Sequence, residues 1–242
     1  GLGLLSMWVA IPLDIILALL VMRLAAFGEM KDGVKKQFAI FKEVTCDQAR
    51  LDDASSAPAQ IARVLRSCLT YSQPVYIELP RDMVRVPCEP VVAEAPAAIE
   101  EDALAACVDE LLARLASAKS PVLMAGIEVR RFGLEDRVAE LSRRLGLPVV
   151  TSFMGRGLLA DADAPLVGTY MGVAGEPELS RLVESSDGLL LLGEIVCDTN
   201  FAVSERKIDL RRTIQALDGQ VKMGYHVYPD IPLAALVDRL LA

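Results

Sequence analysis

From Glu100 onward, amphipathic stretches alternate with wholly apolar ones at a spacing that few architectures accommodate. EDALAACVDELLARLASA precedes SPVLMAGIEV, LEDRVAELSRRLG precedes LPVVTSF, and PELSRLVESSD precedes GLLLLGEIV. The second member of each pair carries a continuous apolar run, as a strand covered on both faces must, and the first is long enough for a crossover helix. An α/β fold with a doubly wound parallel sheet is therefore expected over residues 101–242. RTIQALD and KMGYHVY offer further strands, and IPLAALVDRLLA reads as a closing helix after Pro232.

Upstream the pattern changes. Residues 85–100, RVPCEPVVAEAPAAIE, carry Pro87, Pro90 and Pro96 with no apolar period, which reads as a linker. Before it, residues 37–84 read as a smaller, partial α/β domain. Phe38, Ile40 and Phe41 lead into KEVTCDQARLDD. A helix follows, with Ser56 as N-cap, Pro58 and Gln60 supporting its start, and Ile61, Val64, Leu65 and Cys68 on one face. In SQPVYIELPRDMV a strand through Val75, Tyr76 and Ile77 is expected to end near Leu79, because Pro80 has no amide to donate. Glu78, Arg81 and Asp82 then stand at the strand end, where parallel sheets present ligands. Residues 1–36 form an apolar segment to which no fold is assigned. Its stretch 2–27 is long enough for a bilayer, but Asp14 and Arg23 would each cost about 2.5–3.5 kcal/mol near a helix centre. It also lacks the basic start of a signal peptide.

The net charge of −8 disfavours a nucleic-acid partner, since binding phosphates requires a clustered positive surface. Five cysteines, Cys46, Cys68, Cys88, Cys107 and Cys197, are odd in number and never closely paired, which points to reduced thiols and a cytoplasmic location. His226 is the single histidine, so an imidazole metal cluster is not expected, and its place between Tyr225 and Val227 suits a structural role.

The turn after the first strand of the larger domain reads A-G-I-E-V-R-R-F-G. A dinucleotide-binding turn needs G-x-G-x-x-G so that backbone amides can approach a pyrophosphate. Here only Gly126 and Gly133 remain and Glu128 would repel an anion, so the domain reads as Rossmann-like with a bound nucleotide disfavoured. Arg130 and Arg131 are the candidate anion or effector site, two guanidiniums able to hold a carboxylate. FMGRGLLADADAPLVGTYMG, residues 153–172, reads as a glycine-rich loop in which Arg156 could reach an anion. Glu194, Asp198 and Asn200 follow the last long apolar run; paired carboxylates there suit acid/base work, but no base partner is visible, which favours turn and cap roles.

QFAIFKEVTCDQARLDD, PVYIELPRDMV, SPVLMAGIEVRRFGLEDRVAEL, PVVTSFMGRGLLADADAPLVGTYMGVAG and DTNFAVSERKIDLRRTI, in this order, resemble the thiamine diphosphate-dependent 2-oxo acid decarboxylases, most closely their phenylpyruvate and indolepyruvate branch. The resemblance implies that residues 37–84 are the end of a pyrimidine-binding domain and residues 101–242 the central Rossmann-like domain of a three-domain enzyme. The strand end at Glu78–Asp82 would then be a domain exit. It implies thiamine diphosphate and Mg2+ in the complete enzyme, where the cofactor takes up the electrons left by carbon dioxide, a 2-oxo acid as substrate, and a homo-oligomer, dimer or tetramer. It also implies a catalytic glutamate, a histidine pair near Phe27–Glu29 and a third-domain G-D-G…N segment. No histidine stands at Phe27–Glu29, and no G-D-G occurs in these residues. The chain is thus expected to be a fragment of a carboxy-lyase, inactive alone, with no catalytic, cofactor-binding or metal residues of its own and no cofactor bound. Arg130 and Arg131 would then sense a 2-oxo acid at a domain interface. A competing reading is a binding module for an acidic metabolite, tethered to a membrane by residues 2–27; another, an FAD-carrying relative, fits poorly with the missing glycines.

Overall fold

A computed structural model describes residues 31–93, 95, 98–201 and 207–242, and its contacts divide the chain into two compact units, Gly1–Ala97 and Ala98–Ala242. The apolar stretch 2–27 lies outside the described residues. Among these, no helix is long and apolar enough to cross a membrane.

In the first unit, helix α1 (Lys31–Lys42) and helix α2 (Ala57–Tyr71) pack on two parallel strands, β1 (Asp47–Arg50) and β2 (Val75–Glu78). Phe41 stacks on Tyr76 with ring centroids 4.5 Å apart, and Phe38 meets the same ring edge-on. Ser56 occupies the N-cap of α2 but closes no side-chain cap bond; instead Gln60 Nε2 donates to Ser56 Oγ at 3.0 Å. Val64 is fully buried, with Ala57 and Ala62 beside it, whereas Leu65 is 47% exposed. The inward stripe therefore passes through Ile61 and Val64 and leaves Leu65 outside the face expected for it. β2 ends at Glu78, one residue before the exposed Leu79.

The second unit is the doubly wound sheet. Helix α3 (Glu101–Ser117) leads to strand β3 (Pro121–Ala125); helices α4 (Ile127–Arg131) and α5 (Glu135–Leu145) lead to β4 (Val149–Ser152). Strand β5 (Leu166–Tyr170) and helix α6 (Pro177–Glu184) precede β6 (Gly188–Leu192), and helix α7 (Asp198–Phe201) precedes β7 (Ile214–Leu217). Strands β8 (Gln220–Met223) and β9 (His226–Tyr228) and helix α8 (Leu233–Leu241) complete it. The sheet order is β5-β4-β3-β6-β7-β8-β9.

Pairing is parallel from β5 to β7. Alternate residues face opposite layers: Leu123, Ala125, Leu190 and Leu192 enter a core with Leu111, Val138, Leu141 and Leu236, while Val122, Met124, Leu189 and Leu191 pack with Leu179, Val183 and Phe201. Each fully buried leucine contributes about 1.5–3 kcal/mol, which is why these strands are apolar on both faces. α5 is held at its end by Gly146, whose φ of +65° supplies the left-handed cap.

The doubly wound parallel sheet expected from the sequence is present from β5 to β7, and β8 and β9 extend it antiparallel. The cause is local: Asp218 and Gly219 both have positive φ, 55° and 70°, and form a two-residue turn between Leu217 and Gln220; Gly224, φ +69°, opens the next turn. Such turns reverse the chain at once and leave no room for a crossover. Residues 153–172 are not one loop, because Leu166–Tyr170 form edge strand β5.

Candidate functional site

Strand β3 starts the sheet at its centre; the chain first builds outward through β4 and β5, then returns to β6 on the other side. The C-terminal ends of β3 and β6 therefore flank the point where the winding reverses, the usual ligand crevice of such sheets. Here backbone fills it. Gly126 N donates to Leu192 O at 2.8 Å and Glu128 N to Gly193 O at 3.1 Å, so two amides that would face an anion at the start of α4 already have partners. A Cβ on Gly126 would land on Gly193 O and Glu194 Cα, with Glu194 N at 2.6 Å. These residues do not fit a diphosphate.

Glu128, 2% exposed, adds an acid to the same place. Its Oε2 accepts from Asp218 N at 3.3 Å, and burial raises its pKa despite that bond. The two candidate arginines part company. Arg130 is tied down: its Nε meets Glu135 Oε1 at 3.3 Å, and Nη2 donates to Gly157 O at 3.2 Å and Leu158 O at 3.3 Å. Arg131 is exposed and exerts a Coulomb pull on Glu128. Arg130 thus anchors the turn after β4, while Arg131 faces solvent.

That turn has a second anchor. Asn200 Oδ1 accepts from Met154 N at 3.0 Å while its Nδ2 donates to Ile195 O at 2.8 Å, and Ser152 Oγ accepts from Gly155 N at 3.2 Å. Gly155 is required here because a Cβ would sit 2.9 Å from Ala125 O. Phe153 and Met154 remain partly exposed, and Arg156 lies over the Phe153 ring at 4.9 Å.

Beneath this rim lies Glu194, 2% exposed, with no hydrogen-bond partner for either carboxylate oxygen. Burial pushes its pKa up to about 7, and the nearby Ser152 and Asn200 side chains draw it back only in part. Asp198 is exposed at the start of α7, so the two acids suggested by the sequence do not act as a pair. The isolation of Glu194 escaped the sequence reading; the only signal was a charged residue directly following the apolar run GLLLLG, with its four leucines.

Elsewhere, His226 Nδ1 and Tyr228 Oη lie 2.7 Å and 2.8 Å from Glu110 Oε2, and Arg114 holds Glu110 Oε1, joining β9 to α3. In the first unit Arg50 Nε approaches the buried Glu78 at 3.2 Å, an ion pair across adjacent strand ends. No group of three or more His, Cys, Asp or Glu side chains that could hold a metal ion occurs among the described residues. A shallow concavity lined by Tyr170, Val196, Phe201, Lys207, Ile208 and Leu210 lies on the opposite layer.

Over residues 108–242 the chain matches the family described as thiamine pyrophosphate enzyme, central domain. It is 63% identical over 205 residues to indole-3-pyruvate decarboxylase of Azospirillum brasilense, covering 85% of this chain and 38% of that protein. It is 31% identical over 216 residues to pyruvate decarboxylase of Aspergillus parasiticus, covering 86% and 36%, and 29% identical over 206 residues to that of Aspergillus terreus, covering 82% and 36%. The chain therefore spans less than two fifths of the length of these curated relatives. None of these likenesses supports a membrane-tethered binding module.

Proposed function

The chain belongs to the thiamine pyrophosphate enzymes through their central domain, and on that premise we propose that it is part of a decarboxylase of aromatic 2-oxo acids, converting phenylpyruvate or indolepyruvate to the aldehyde and carbon dioxide. The 63% identity to an indole-3-pyruvate decarboxylase, against 31% and 29% to two pyruvate decarboxylases, carries this reading. Residues 37–84 then serve as the end of a pyrimidine-binding domain, 85–100 as linker and 101–242 as the central domain of a cytoplasmic homo-oligomer that uses thiamine diphosphate with Mg2+. Because backbone fills the crevice between β3 and β6, no step of the reaction is assigned to the residues that line it. The test uses the protein whose coding sequence contains these residues, supplied with thiamine diphosphate and Mg2+. Aldehyde formation should show a kcat/KM for indolepyruvate or phenylpyruvate at least about tenfold above that for pyruvate, a difference of about 1.4 kcal/mol in transition-state binding. Preference for pyruvate, or no turnover of any 2-oxo acid, would overturn the proposal.

Within that reading, Arg130 and Arg131 contribute to a carboxylate site that senses 2-oxo acid, Arg131 supplying the exposed guanidinium while Arg130 holds the turn after β4. An Arg–carboxylate bond is worth about 1.5–3 kcal/mol. Replacing both by alanine in the same protein should raise the half-saturating concentration about tenfold or flatten a sigmoidal saturation curve. Superimposable curves would remove the pair from the account.

A further inference from the structure

We draw no further inference here: the strongest candidate, the exposed apolar surface that Leu65 and Leu69 form on helix α2 of the first unit, is an unpartnered face, and nothing in the structure shows what covers it.

Discussion

Gly126→Ala should destabilise the second unit by about 3 kcal/mol or more, the upper end of the cost of forcing a group into a packed interior. The added methyl has no flexible side chain to displace. It meets Gly193 O and the backbone of Glu194, so either β3 or β6 must shift, and with it the pairing of Pro121–Ala125 on Gly188–Leu192. Such a loss is a large share of the 5–15 kcal/mol that typically holds a domain together. Gly133→Ala is the control, since a Cβ there meets nothing within 4 Å and only its φ of +62° is unfavourable, at about 1 kcal/mol. Urea unfolding monitored on the second unit gives both numbers. Equal midpoints for the two variants would mean that the close contact between the strand ends is not a constraint.

The second large effect is electrostatic. Relative to Glu194→Gln, the wild-type chain should lose about 3 kcal/mol of stability between pH 4.5 and pH 7. Over that interval the unfolded carboxyl, at its ordinary 4.5, has released its proton while the folded one, near 7, still holds it. The unfolded state binds fewer protons, so stability falls as pH rises, and the loss is complete above the folded value. Two and a half units at about 1.4 kcal/mol each set the size. Glu128, also raised by burial, acts in the same direction. Asp187 and Asp209 act oppositely: backbone amides of Lys119 and Ser120 lower the first, and the Arg211 side chain lowers the second, so their contribution is present above their ordinary 3.8 and disappears as pH falls below it. The windows do not overlap, and chemical denaturation of wild type and variant across pH 4–8 separates them. Parallel curves would show that Glu194 ionises as freely in the folded chain as in the unfolded one.

Much of this architecture was legible because burial on two faces leaves a compositional mark. The runs around Leu123 and Leu190 can be nothing but covered strands once helices flank them. Less legible was β1, where Asp47, Gln48 and Arg50 surround a single buried Ala49 and no apolar run forms. β5 was hidden for a related reason: it lies at an edge, Leu166 and Val167 are exposed, and Gly168 interrupts it. The reversal at Asp218-Gly219 did carry its signature in the sequence, and a reading that weighed the turn dipeptide above the strand pattern would have found it. The site was harder. Arg130 and Arg131 look equivalent in sequence, yet only their distances to Glu135, Gly157 and Leu158 distinguish an anchor from an exposed charge. Glu194 resembled one member of an acidic pair until burial placed it under the rim and left Asp198 outside.

The hairpins that end the sheet carry a consequence for solubility. Its last strand, His226–Tyr228, has only three residues, and Glu110 holds both His226 and Tyr228. So short a border gives another polypeptide few free amides and carbonyls to zip onto, which guards that side against runaway polymerisation into fibres.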